Sequence, residues 1–306
     1  VMKMSDKETF KQELDARTAE IEQLIGTYLP EETGHQKTIF EAMNYSMKAG
    51  GKRLRPMLMQ EMCRLFTGTL LDAVIPFMAA VEMIHTSSLV HDDLPCMDDD
   101  MMRRGKASTW AEYGEDIGVL TGDALMMFAF ETAANAFETS IDPDELSRIG
   151  RAMGILAHKT GVYGMIGGQT VDVELAGGPI PGDKLDFIYR LKTGALIEAS
   201  MLIGAVLGGA AEEDCKIVES LAAKIGMAFQ IQDDILDVTG SQDVTGKPSG
   251  SDEKNKKTTY VTLEGLEKAK KDVEQISTEA IEELNKLPGN NEFLERLIRA
   301  LVGRQK

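Results

Sequence analysis

"PFMAAVEMIHTSSLV", residues 76–90, is apolar or small almost all the way round a helix, and its reading decides the fold class. A helix on a protein surface keeps its apolar residues to one stripe, so a helix without a polar face belongs inside a bundle. "ALIEASMLIGAVLGGA", residues 195–210, reads the same way. Outside these two stretches the apolar residues return at three and four. Phe10, Leu14, Ile21, Leu24 and Ile25 form one stripe that stops before Pro30. Leu266, Ala269, Val273, Ile276, Ala280, Leu284 and Leu287 form another that stops before Pro288, the residue type that ends helices. Strand-like alternation is nearly absent, with "TTYVTL" (258–263) as the only short candidate. No internal repeat or interdomain linker stands out. The sequence therefore predicts one all-α domain over residues 1–306.

Composition narrows the function. The chain carries a net charge of −17, which argues against nucleic acid or an anionic membrane surface as its main partner. No apolar run is read as a transmembrane span, and no signal peptide is read before the first helix. Cys63, Cys96 and Cys215 are spaced as neither a disulfide framework nor a zinc site, so a cytoplasmic protein is expected.

Two segments interrupt the helices. "HDDLPCMDDDMMRRG", residues 91–105, packs five aspartates into positions 92–100 and follows them with Arg103 and Arg104. Carboxylates at that density repel one another and call for a cation. Residues 239–257 are polar and rich in glycine, serine and lysine; composition allows either a surface loop or a functional lid. A second acidic group lies in "FQIQDDILD", residues 229–237, where Asp233 and Asp234 share a helix face with Asp237. The flanking Ile231, Ile235 and Leu236 suggest burial, where unpaired carboxylates are prohibitive. Hard oxygen donors in this number suit Mg²⁺, which shares its coordination with substrate phosphates. "GGKRLRP", residues 50–56, adds Lys52, Arg53 and Arg55, residue types that grip phosphate. A structural salt-bridge network uses the same residue types and stays open at this point.

The combination closely resembles the trans-isoprenyl diphosphate synthases, the family of farnesyl and geranylgeranyl diphosphate synthases. The resemblance runs from about residue 45 to 265 and rests on "GGKRLRP", "EMIHTSSLVHDDLPCMDDD" with "RRGK", "TGDALM", "GMIGGQTVDVE", "KTGALI", "FQIQDDILD" and "GKPSGSD" in order. The first aspartate motif has the longer spacing common in bacterial members. The resemblance implies the isoprenoid synthase fold, mostly antiparallel helices around a central active-site cavity. It implies that Asp92 and Asp98, assisted by Asp93, and Asp233, supported by Asp234 and Asp237, hold Mg²⁺, about three ions in all. An allylic diphosphate would be held by Arg103, Lys192 and Lys247, with Lys257 joining as the 239–257 loop closes. Isopentenyl diphosphate would lie on Gly51, Lys52, Arg55, His85 and Arg104 without a metal. Thr193 and Gln230 match cation-stabilising positions. Ser87 and Ser88, in place of an aromatic residue, would deepen the floor of the product shaft and favour geranylgeranyl over farnesyl diphosphate. The resemblance also implies a homodimer.

Other classes remain as alternatives. A class I terpene cyclase shares the fold, but "GGKRLRP" and "FQIQDDILD" favour the synthase. A metal phosphohydrolase read from His91-Asp92 needs more histidines than the four present. An inactive partner subunit would be expected to have lost aspartates that are complete here.

Overall fold

A computed structural model describes residues 4–239 and 258–303. They are helical almost throughout, with two strands of two residues each. The expected helix-after-helix architecture is therefore present. By internal packing the chain divides into two compact units, one of residues 1–60 and 70–153, the other of 61–69 and 154–306.

The first unit is built around α4 (Val74–Asp92), the helix whose sequence is apolar or small almost all the way round. Phe77, Met78, Val81, Met83 and Ile84 are fully buried, and burying a side chain of that size contributes roughly 1.5–3 kcal/mol. α1 (Met4–Gly26), α2 (Lys37–Met47) and α6 (Glu115–Ala134) pack around it. α6 comes closest because it offers glycine. A Cβ at Gly122 would lie 2.0 Å from His91 Nε2. Between α4 and α5 (Thr109–Tyr113), β1 (Met102–Arg103) pairs with β2 (Lys106–Ala107). The two loop residues, Arg104 and Gly105, have φ of +52° and +78°. Positive φ at both central positions is the type I′ condition for a two-residue hairpin.

The second unit is centred on α10 (Ala195–Leu207), buried at every position, as its sequence predicts. α11 (Glu212–Thr239) lies against α10 and against α13 (Leu266–Leu284). Ala228, Ile231 and Ile235 of α11 meet Ala269 and Val273 of α13 and Val302 of α14 (Glu292–Val302). α8 (Met165–Glu174) and α9 (Gly182–Ile188) lead into a π-helical turn, Tyr189–Gly194. The strand candidate 258–263 is instead the start of α12 (Tyr260–Glu264), for a local reason. Thr259 and Thr262 form a reciprocal capping box, and it satisfies helix-terminal donors that a strand would leave to a neighbour.

One expectation needs correcting. α4, and the stretch from Glu115 to Glu138, are long and apolar enough to cross a membrane by length and composition. The sequence reading passed over both because scattered polar residues break the apolar runs. In α4 the window is 72% buried, as in a core helix, whereas the second is only 39% buried and exposes Val119, Leu120, Met127 and Phe137.

Candidate active site

The first aspartate cluster begins where α4 ends. Sequence spacing alone put Asp98 off the helix face that carries Asp92. The chain returns through a tight turn in which Asp98 N–H donates to the Asp92 carbonyl at 2.9 Å and Asp100 N–H to that of Asp93 at 3.1 Å. Asp99 takes a positive φ of 53° to close it. Asp92 is half-buried and Asp98 exposed. Asp93, expected to assist at a metal, is buried and gives both oxygens to Arg103, at 2.6 and 2.7 Å. A carboxylate so engaged is a poor candidate for a metal ligand as it stands. Burial pushes its pKa up, Asp100 and Asp98 adding, while Arg103 opposes them.

Beside it sits a basic cradle. The hairpin turn aims Arg104 at "GGKRLRP", where its Nη1 donates to the Gly50 carbonyl. Gly51 has φ of +145°, a conformation strained for any other residue, and a Cβ there would press on the Arg104 guanidinium, 2.8 Å from Nη1. Arg53 shapes the same turn. It adopts φ of +47°, a strained conformation for a non-glycine residue. Its guanidinium is buried and donates to Glu82 Oε1 at 2.8 Å, to Glu22 Oε1 at 2.6 Å and to the Met47 carbonyl at 2.6 Å. Arg55 differs: its Nε is buried without a hydrogen-bond partner among the described residues. Burial lowers its pKa, Glu82 opposing and Arg104 adding. Burial also drives His85 well below its ordinary value, helped by Arg55, Arg104, Arg103 and Arg53. Neutral His85 and the guanidiniums of Arg55 and Arg104 suit an anion with several oxygens. Lys52 is exposed at the edge of this turn.

The serines expected to form a product floor separate. Ser87 is buried and donates to the Gly122 carbonyl at 2.8 Å, so it serves the contact of α4 with α6. Ser88 is half-buried, on the α4 side that carries His85 and Asp92, and donates to the His85 carbonyl at 2.7 Å.

The second unit holds the other group. Lys192 and Thr193 lie on the π-helical turn, a feature often found at functional sites. Thr193 donates to Gln230 Oε1 at 3.1 Å, bringing the two residues expected to stabilise a cation together. Lys192 Nζ pairs with Asp172 at 2.6 Å. Gly168 lets the turn approach α8: a Cβ there would be 2.3 Å from the Lys192 nitrogen. Asp233 and Asp237 are half-buried on α11, and Asp234 is buried. Lys247 and Lys257, with most of the expected lid, lie outside the described residues.

Sequence reasoning assigned no role to Asp172, Tyr189, Glu22 or Glu82. Asp172 lies inside "GMIGGQTVDVE", which was a usable signal. Glu22 and Glu82 have none, since their partner Arg53 is 31 and 29 residues away. Among the described residues, no three His, Cys, Asp or Glu side chains gather as a metal cage. That is no misfit for Mg²⁺, which is bound through one or two carboxylates plus substrate phosphates.

The profile of the polyprenyl synthetase family matches residues 36–297. The chloroplastic heterodimeric geranylgeranyl pyrophosphate synthase large subunit 1 of Arabidopsis thaliana is 46% identical over 249 residues, 80% of this chain and 66% of that protein. The chain thus spans about two thirds of that relative's length. Geranylgeranyl diphosphate synthase of Cyanophora paradoxa is 42% identical over 252 residues, 82% of each chain. Among solved structures, an FPP/GFPP synthase from Zymomonas mobilis superposes with a TM-score of 0.82 at 32% identity, over 96% of this chain and 99% of that one. A geranyltransferase from Legionella pneumophila gives 0.83 at 27% identity, over 98% of both.

Proposed function

This chain belongs to the polyprenyl synthetase family, and on that footing we propose that it is a short-chain trans-prenyl diphosphate synthase. It would condense isopentenyl diphosphate with an allylic diphosphate, head to tail, giving farnesyl or geranylgeranyl diphosphate. The observation that carries the reading is the cradle of Gly51, Arg55, His85 and Arg104, with a buried Arg55 Nε that no group among the described residues satisfies. A buried donor left unpaired costs about 1–3 kcal/mol, and a metal-free diphosphate is the ligand that its neighbours favour. A terpene cyclase has no use for a second diphosphate site.

In the first unit Asp92 and Asp98 are the residues that would hold Mg²⁺, and in the second unit Asp233 and Asp237 are. The ion would neutralise the charge that accumulates on the departing diphosphate. Arg103 and Lys192 would bind the allylic diphosphate oxygens. Thr193 and Gln230 would turn their oxygen dipoles toward the allylic cation once the carbon–oxygen bond breaks. The double bond of isopentenyl diphosphate then attacks that cation, and the departed diphosphate takes the proton released. No side chain is needed as general base.

We take residues 1–306 as one functional domain, since the family match runs through both units. The proposed assembly is a homodimer, for which the exposed apolar side chains of residues 119–137 offer surface. A cytoplasmic setting agrees with three cysteines present as thiols. The test is steady-state kinetics of Arg55→Ala. The Michaelis constant for isopentenyl diphosphate should rise about tenfold or more, as expected for loss of a charged hydrogen-bond donor, while that for the allylic primer changes little. The opposite pattern would exchange the two sites.

A further inference from the structure

We propose that Tyr189 and Asp234 form a positioning pair that sets the register of the π-helical turn carrying Lys192 and Thr193. Tyr189 is the first residue of that turn and is buried among Ile180, Leu185 and Ile188. Its hydroxyl donates to Asp234 Oδ2 at 2.5 Å. The backbone N–H of Tyr260 donates to the same oxygen at 2.9 Å and lies 3.2 Å from the Tyr189 hydroxyl. The carboxylate is thereby turned toward the protein interior.

The neighbouring contact gives this pair its meaning. Thr193 reaches Gln230 at 3.1 Å, four residues along from Tyr189, while Gln230 stands four residues before Asp234. The π-turn and α11 are thus joined by two successive polar rungs, Tyr189–Asp234 and Thr193–Gln230. Between the same elements the backbones nearly touch, since a Cβ at Gly226 would lie 2.9 Å from the Gly194 Cα. A π-helical turn is less favourable than the α-helix it interrupts, and it persists where its surroundings fix it. Removing one rung frees the turn to rotate, which moves Lys192 and Thr193 together. Asp234 would then act through Tyr189, as a positioning residue and not as a metal ligand.

This rests on the proposed synthase function, and the experiment separates the two. Tyr189→Phe keeps the ring in its apolar pocket and deletes only the rung. Asp234→Asn keeps an oxygen able to accept from Tyr189. Wild type and both variants are compared in steady-state kinetics, and their affinities for magnesium pyrophosphate are measured calorimetrically. Tyr189→Phe should lower kcat/KM for the allylic primer by about tenfold or more, the scale of a small misplacement at a reacting centre. The Michaelis constant for isopentenyl diphosphate should stay within about twofold, and the double variant should be no worse than Tyr189→Phe alone. Asp234→Asn should retain measurable turnover.

Wild-type kinetics in Tyr189→Phe would overturn the pair, as would a rise of about tenfold in the Michaelis constant for isopentenyl diphosphate. Collapse of Asp234→Asn beside an intact Tyr189→Phe would assign Asp234 to the metal instead. If the wild type turns over no primer, the functional reading fails. Pyrophosphate affinity then decides alone: equal binding by wild type and Tyr189→Phe overturns the pair, and weaker binding by the variant supports it.

Discussion

Asp93 holds Arg103 from the side, its Oδ2 accepting from Nε at 2.7 Å and its Oδ1 from Nη2 at 2.6 Å. The carboxylate sits at the C-terminal end of α4 and the guanidinium on the hairpin, so one bidentate pair ties the acidic turn to the basic one. The carboxylate is 2% exposed and the guanidinium 28%. Water therefore screens only one side of the pair.

Replacing Asp93 by alanine should leave α4 intact and let Arg103 swing. Turnover with the allylic primer should fall about ten- to a hundredfold, the range for losing a residue that orients a ligand-binding group. Combining it with Arg103→Ala should add little further loss. Fully additive losses in the double variant would show that the two residues act separately.

Arg53 and Glu82 form a buried pair, with side chains 2% and 3% exposed. Arg53→Met deprives buried Glu82 of its hydrogen-bonded partner, a loss of up to about 3–5 kcal/mol that the nearby charges of Arg55 and Arg104 partly offset. It also removes the group that holds residues 50–55 in their strained turn. Urea denaturation should show the loss of stability, and Glu82→Gln in the same background should recover part of it.

His85 links stability to pH. In the unfolded chain it takes up a proton near its ordinary 6.5, and in the folded protein only well below that. Between the two values the unfolded chain binds more protons, so stability rises with pH there. The contribution is complete above about 6.5 and is lost as pH falls toward the folded value. His85→Asn should flatten this part of the profile of melting temperature against pH. Parallel profiles for wild type and variant would contradict the assignment.

Product length separates the two serines. Ser87 is enclosed against Gly122, so Ser87→Tyr should overpack α4 and α6, at about 1–3 kcal/mol or more. Ser88 shares the side of α4 that carries His85 and Asp92. Ser88→Tyr should shift product from geranylgeranyl toward farnesyl diphosphate, read by chromatography of the dephosphorylated alcohols. An unchanged distribution would place the floor elsewhere.

Much of this was legible in the sequence, and the rest had physical reasons to stay hidden. α4 and α10 announced their burial because they are apolar or small almost all the way round. Asp233 and Asp237 stood out as carboxylates in apolar surroundings, and Arg55 as one of a run of cations at residues 52–55. His85 was marked only by the family resemblance, a lone histidine on an apolar helix being otherwise a core residue. The hairpin at 102–107 did not, since two-residue strands have no periodicity to read. The β-branched run at 258–263 looked like a strand because the capping by Thr259 depends on a reciprocal bond that composition does not display. The π-helical turn carries no mark in a pattern of threes and fours. Glu22 and Glu82 acquire their roles only when folding brings them to Arg53, whereas Asp172, the partner of Lys192, already lay in a motif the sequence displays.

The most direct test incubates the protein with isopentenyl diphosphate, Mg²⁺ and dimethylallyl, geranyl or farnesyl diphosphate separately, and identifies the products. Isopentenyl diphosphate should be incorporated head to tail, omitting Mg²⁺ should abolish the reaction, and elongation should stop at farnesyl or geranylgeranyl diphosphate. Consumption of the allylic diphosphate to a hydrocarbon or an alcohol, with no isopentenyl diphosphate incorporated from any primer, would contradict the proposed synthase function.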